Sequence, residues 1–265
     1  MLDKKFNVLD KGFVRLVDYM GSDSRIVQSA RVSYGDGTKN YREDAGLIDY
    51  LLRNRHTSPF EQVVFTFHMK LPIFIARQMV RHRTARLNEI SGRYSVMKDE
   101  FYVPAPEDVS PQSTDNKQGR ATEPLPPGEA EKVRLALQAG QQEAYESYSR
   151  MVEQGLAREL ARINLPLSLY TEWYWQIDLN NLFHFLELRL GAHAQKEIRM
   201  YAQAMLTVAK HVAPVACEAF ERHILGSTTF SRDEYAELKR RLSGGSGKPL
   251  LDGKALVRFE EKLGV

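Results

Sequence analysis

Three stretches of the chain alternate hydrophobic with polar side chains, and between them the spacing lengthens to that of helices. Gly12–Met20 sets Phe13, Arg15, Val17 and Tyr19 against Val14, Leu16 and Asp18. Both periods are partly served, and the valines and aromatics decide for a strand. Residues 63–69 put Val63, Phe65, Phe67 and Met69 on one face and Val64, Thr66 and His68 on the other, so His68 reads as a half-buried sheet histidine without catalytic work. Residues 170–179 alternate Thr171, Trp173, Trp175 and Ile177 with Glu172, Tyr174, Gln176 and Asp178, a third strand.

Helices are expected from a Ser22 or Asp23 cap to Arg31, over 44–54 with Leu47, Ile48, Leu51 and Leu52 on one face, and after Pro72 with Ile73, Ala76 and Val80 in a stripe. A long helix is expected over 129–155 and a short one over 155–165, ended before Pro166. Asn180 opens a helix expected to run past His193, and 194–220 continue helical. Gly35-Asp36-Gly37 reads as a turn. Pro59 makes 56–61 an extended turn carrying His56, Ser58 and Glu61. Few strands and several long helices make the fold class α+β. Residues 111–128, rich in Pro, Ser, Gln and Gly, read as a mobile insertion without chemistry. Ser243-Gly244-Gly245-Ser246-Gly247 reads as a flexible linker, so the expected division is a domain over 1–225 and a C-terminal tail over 226–265.

Charge narrows the function. Across 265 residues, 37 basic and 34 acidic side chains leave a formal +3, too little for a dedicated nucleic-acid binder. The longest apolar runs, such as 71–80, are too short to span a bilayer. No apolar segment follows Met1-Leu2-Asp3-Lys4-Lys5, so no secretory signal is visible and a cytoplasmic location is expected. The lone Cys217 excludes an internal disulfide and, among small helix residues, reads as a buried inert thiol. His184 and His193, nine residues apart, have no metal-ligand spacing, and no H-E-x-x-H or C-x-x-C occurs, so no metal is expected.

The chemistry concentrates in residues 78–95, Q-M-V-R-H-R-T-A-R-L-N-E-I-S-G-R-Y-S. Arg81-His82-Arg83 sits at the tail of an apolar helix, and Asn88, Glu89, Ser91, Arg93 and Tyr94 crowd the following loop, with Gly92 as a hinge. So many cations at a buried helix end call for an anion, and guanidinium forks suit phosphate. A helix-dipole role alone would account for the basic triplet but not for the polar loop after it. Gln78 and Arg81, three apart, share a helix face. Asn180 and His184 are one turn apart on an otherwise apolar helix, and Arg189 has no easy acidic partner, since Glu187 lies on the wrong face and Glu197 is two turns on.

Arg-His-Arg, seven residues, then Ser, set in R-H-R-T-A-R-L-N-E-I-S-G-R-Y, resembles the signature of the flavin-dependent thymidylate synthase family. The likeness extends from about Phe13 to about Phe220 and leaves the tail uncovered. The resemblance implies a small antiparallel sheet flanked by helices, in a homotetramer with sites shared between subunits. It implies that dUMP takes a one-carbon unit from methylenetetrahydrofolate, that reduced FAD supplies the hydride, and that NADPH re-reduces the flavin. Carried over by position, dUMP would be held by Gln78, Met79, Val80, Arg81, Glu89, Ile90, Ser91, Gly92, Arg93, Arg162 and Arg189. FAD would be held by His56, Ser58, Arg81, His82, Arg83, Asn88, Glu89, Asp178, Leu179, Asn180 and His184. Asp178 and His184 stand where the family often has asparagine. Arg189 would be the catalytic residue, facing the uracil ring and favouring its ionised N3 form.

Three other readings stand beside this one. A nucleic-acid binder is disfavoured by the near-neutral charge and by Glu89 within the basic loop. A cysteine-nucleophile thymidylate synthase is disfavoured because no Arg or His neighbours Cys217 in sequence. A purely structural helical protein would carry no flavin and no colour.

Overall fold

The computed structural model describes residues 1–33, 41–114, 117–245 and 247–264. The Gly35-Asp36-Gly37 turn and Ser246 of the linker lie outside the described residues. Two units are present, Met1–Phe220 and Glu221–Val265.

The first unit is built on an antiparallel five-stranded sheet in the order β1-β2-β3-β5-β4. The strands are β1 (Lys5–Val8), β2 (Gly12–Met20), β3 (Val64–Pro72), β4 (Arg86–Glu89) and β5 (Tyr170–Asp178). Alternation explains how the central pair is sided. Phe65, Phe67, Met69 and Leu71 of β3 and Trp173, Trp175 and Ile177 of β5 are buried, while Thr66, His68, Glu172 and Gln176 are partly open and Tyr174 is exposed. His68 lies between Arg15, at 2.9 Å, and Glu172, at 3.2 Å, as a half-buried sheet histidine.

Helices α1 (Asp23–Ala30), α2 (Tyr41–Arg53), α3 (Ile73–Met79), α4 (Pro127–Glu153), α5 (Arg158–Ala161), α6 (Leu179–Leu190), α7 (Lys196–Val212) and α8 (Pro214–Phe220) complete this unit. α3, α6 and α7 pack against the strands. α7 buries Ile198, Tyr201, Ala202, Met205 and Leu206, and Tyr201 donates to the Lys70 carbonyl at 2.7 Å. A second, smaller core gathers Met97, Phe101, Tyr148, Ala161 and Leu169 between α4, α5 and the start of β5. Cys217 is fully buried.

Several elements differ from the sequence expectation. Residues 86–89, read as loop, form the edge strand β4, whose four residues are all exposed and therefore show no alternation. β1 carries no alternation strong enough to single it out. The helix expected to run from Asn180 past His193 stops at Leu190, and a break over 191–195 precedes α7. Ala213 interrupts the next helix between α7 and α8. Asp23 does not cap its own helix. Its carboxylate accepts from the Val215 and Ala216 N–H groups, both at 3.0 Å, at the start of α8. Residues 58–62 wind into a 3-10 turn with Pro59 early in it.

The described part of the 111–128 insertion carries specific contacts. Gln112 bridges to Arg120, and Arg120 donates to Glu197 at 2.9 Å and to the Asp108 carbonyl at 2.9 Å. Glu197, only 3% exposed, also accepts from Tyr102 at 3.1 Å.

In the second unit, where a flexible linker and a short helical piece were expected, two helices form: α9 (Arg232–Leu242) and α10 (Gly253–Leu263). Ser231 and Glu234 make a capping box at the start of α9. Buried Glu237 holds Arg240, Arg241 and the Leu250 N–H, and Phe259 is buried. No helix among the described residues is long and apolar enough to cross a membrane.

Gly12 marks where β2 meets α7. A Cβ there would overlap the Tyr201 hydroxyl and lie 2.7 Å from the Val8 carbonyl oxygen and 2.8 Å from that of Lys70. Gly12→Ala is expected to lower unfolding stability by about 1–3 kcal/mol. Adding Tyr201→Phe should not restore it fully, because both backbone oxygens remain. Urea unfolding of the single and double variants checks this.

Candidate functional site

The chain leaves β3 at Pro72, whose extended backbone caps α3. It turns at Val80, with the Arg81 N–H bonded to the Gln78 carbonyl and that of His82 to Met79, and enters β4. The Arg-rich segment is therefore held at both ends, by a helix and by the ladder that pairs Arg86 with Gln176 and Glu89 with Trp173.

Beyond β4 lies a cleft of about 370 Å³. Glu89, Ile90, Ser91, Gly92 and Arg162 line it together. Its apolar floor, Ile73, Met97, Leu165 and Leu169, belongs to the second core. The Gly92 backbone lies outside the left-handed region, and what the glycine supplies here is space. A Cβ would sit 2.9 Å from the Met97 sulfur and 3.1 Å from Arg162. Among the described residues the Ser91 hydroxyl is bonded only by the Arg93 N–H, at 3.3 Å. Thr171, missed from the sequence, also lines the cleft and donates to Glu89 Oε1 at 2.6 Å. Its signal was a hydroxyl on the otherwise apolar face of β5.

A second group forms where the end of α6 meets the turn after α3. Arg189 Nε donates to His82 Nε2 at 3.1 Å, and the His82 ring packs edge-on to Phe185 and beside His184. Because Nε2 accepts, the His82 ring is neutral with its proton on Nδ1. Burial first, then the Arg189 and His184 charges, hold its pKa down to about 4. Burial and the like charge of Arg81 also press the Arg189 pKa down. Among the described residues no carboxylate pairs with Arg81, Arg83, Arg162 or Arg189. Four guanidinium groups without acids make a strong demand for anionic oxygen. Gln78 donates to Gln195 at 2.5 Å, a second partner the sequence did not single out.

The remaining sequence-predicted residues are placed less directly. Arg93 turns away from the cleft to pair with Glu159 at 2.9 Å. Met79 and Leu179 are fully buried, so their side chains face the core, and Val80 is half-buried as the cap of α3. Asp178 caps α6, with both oxygens engaged by Asn181, at 2.9 and 2.6 Å. Asn180 lies in the first turn of α6, Arg83 is exposed, and Asn88 is exposed on β4 opposite Tyr174. His56 packs edge-on to Tyr50, and Ser58 is exposed at the start of the 3-10 turn, which meets α6 through Phe60 and Phe183. Among the described residues, neither His56 nor Ser58 shares a hydrogen bond or ring contact with the Arg81–Arg189 group.

Comparison with known proteins bears on this arrangement. The family described as "Thymidylate synthase complementing protein" matches residues 15–215, and "Thymidylate synthase ThyX C-terminal domain" matches 228–264, so the likeness does include the tail. A flavin-dependent thymidylate synthase of Treponema denticola is 64% identical over 262 residues, covering 99% of this chain and 98% of the other. One from Thermus thermophilus is 57% identical over 236 residues, covering 89% and 85%. The crystal structure of a UMP/dUMP methylase, PolB from Streptomyces cacaoi, bound with 5-Br dUMP, superposes with a TM-score of 0.75 at 35% identity, covering 83% of this chain and 98% of that one.

The neutral His82 has a measurable consequence. Its folded pKa of about 4 lies below the ordinary 6.5. The unfolded chain therefore binds the extra proton first as the pH falls, and stability present above pH 6.5 is lost towards pH 4. His82→Gln, which keeps an acceptor for Arg189, is expected to flatten that loss in thermal unfolding curves. A His82 ring titrating near 6.5 by NMR would contradict it.

Proposed function

The chain belongs to the flavin-dependent thymidylate synthase family, and from that premise we propose that it methylates dUMP to dTMP with methylenetetrahydrofolate as one-carbon donor. It is an enzyme of the methyltransferase type. The observation that carries the proposal is the presence of two anion-seeking sets, at the two ends of the segment from the turn after α3 to the loop after β4: the acid-free arginines around neutral His82 and the Ser91–Gly92–Arg162 cleft.

The donor set fits FAD. Arg81, Arg83 and His82 on the turn, Asn88 and Glu89 on β4, Asn180 and His184 on α6, and His56 and Ser58 offer cations and hydrogen-bonding groups to a dinucleotide pyrophosphate and its rings. Asp178, occupied by Asn181, contributes by fixing the first turn of α6, and Leu179 through its backbone. When bound, reduced FAD supplies the two electrons that turn the transferred carbon into a methyl group, NADPH restores them, and tetrahydrofolate leaves.

The chain's own residues bind and polarise. Ser91, the Gly92 backbone and Arg162 hold the nucleotide phosphate, with Glu89 fixed by Thr171 and Ile90 against the sugar. Gln78, Met79, Val80 and Arg81 bring the end of α3 to the nucleotide, and Arg93 joins on leaving Glu159. Arg189 sits beside the uracil. A permanent cation next to a weakly acidic imide lowers its pKa and pushes electron density to C5, the carbon that must attack the one-carbon unit. His82 can orient Arg189 without adding charge because its ring is neutral. We further propose a cytoplasmic homotetramer whose subunits share sites, serving de novo dTMP synthesis.

Two sets of measurements test the proposal. The purified protein is expected to show flavin absorbance or bind FAD on titration, and to form dTMP. Arg189→Ala should lower turnover about a hundredfold or more while FAD stays bound, and Arg189→Lys should fall between, keeping charge but losing the planar fork. Unchanged turnover in Arg189→Ala would sink its assignment. Ser91→Ala is expected to weaken dUMP binding about tenfold yet retain dTMP formation. A nucleotide adduct on Ser91 in intact-mass spectra would contradict its positioning role.

A further inference from the structure

A second cavity, of about 350 Å³, lies between Gln112 and residues 118–120 on one side and the start of α7 on the other. Arg120, His193, Lys196 and Arg199 line it with the amides of Gln112 and Gln195, and no carboxylate is among its described lining residues. Two of its cations are anchored from behind: Lys196 by Asp108, and Arg120 by buried Glu197. Arg199 is not offset. Among the described residues it has no ion pair, and its one side-chain hydrogen bond is to the Ala192 carbonyl, at 3.3 Å. Counting Asp108 and Glu197, the cavity keeps a net positive charge. It also sits at the positive end of a 17-residue helix whose N-cap, Gln195, makes no side-chain cap.

The position of this cavity connects it to the site. Gln195 lines it and bonds to Gln78, and Ala192 follows Arg189 by three residues. Its volume is at the small end for ligand pockets, enough for one charged arm but not for a whole folate or dinucleotide. We propose that this cavity is the subsite for the anionic arm of a co-substrate whose reacting end lies at the Arg81–Arg189 group. The inference rests on the synthase reading. The chemistry recognised is a multiply charged oxyanion, supplied either by the carboxylates of a glutamyl chain on the folate or by the ribose phosphate that distinguishes NADPH from NADH. Arg199 is the residue that reads it, and Arg120, held by Glu197, fixes the wall it lines.

The test is anaerobic equilibrium titration at low salt, with the flavin already reduced, of the FAD-loaded wild type, Arg199→Gln and Arg199→Lys. The probes are tetrahydrofolate mono- and triglutamate, and NADPH and NADH. The wild type is expected to bind the more charged member of one pair about tenfold more tightly. Arg199→Gln should lose that preference, Arg199→Lys should keep part of it, and dUMP affinity and melting temperature should not move. The pair that discriminates identifies the arm. No preference in either pair, or one that survives Arg199→Gln, overturns the subsite. The synthase reading fails on other readouts, flavin binding and dTMP formation by the wild type, so the two failures are distinguishable.

Discussion

The antiparallel ladder between β3 and β5, running from Val64 opposite Asp178 to Pro72 opposite Tyr170, is the constraint on which the site depends. β3 ends at the Tyr170 end of β5, whereas β4 begins opposite Gln176. The chain must therefore travel back about six strand residues, roughly 20 Å, before it can pair again. α3 and the turn after it cover that distance. Arg81, His82 and Arg83 lie on the return path because of this geometry, and α6, which starts directly from the end of β5, brings Arg189 to meet them. Shifting the ladder by one residue would turn the buried face of one of the two strands to the open side.

Unequal charge balance is the second organising feature. Elsewhere the protein answers buried or half-buried charges with partners: Glu197 with Arg120, Lys70 with Glu100, Arg31 with Asp44, Glu237 with two arginines. Around His82 it does not: burial first, then the positive charges of Arg189 and His184 beside His82 and of Arg81 beside Arg189, hold both pKa values down. A site held in this state favours an incoming anion, because the ligand supplies the compensation that the fold withholds. The same pattern, in weaker form, marks the cavity beside α7.

Much of this was legible in the sequence. β3 and β5 stand out because one face of each is buried and the alternation reports that burial directly. The 81–91 motif points to anion chemistry because arginine, histidine and serine at that spacing are hard to explain as a solvated surface, and its likeness to one family narrows the substrate. Other features were not legible, for specific reasons. β4 is exposed at all four positions, so its strand character comes only from pairing with β5. The break after Leu190 leaves no proline and only one glycine, and the apolar period on both sides reads as continuous. Arg93 in the sequence looks like its neighbours in the motif, but Glu159, 66 residues away, decides where its side chain lies. Asp178 reads as a candidate contact for a ligand, and its role as a cap, with Asn181 donating to both of its oxygens, was not legible. Residue types and their spacing thus determined the kind of chemistry, since charge and hydrogen-bonding capacity belong to the side chains themselves. Which charges stay unpaired was decided by tertiary structure alone, because pairing depends on distances between residues that the chain brings together only on folding.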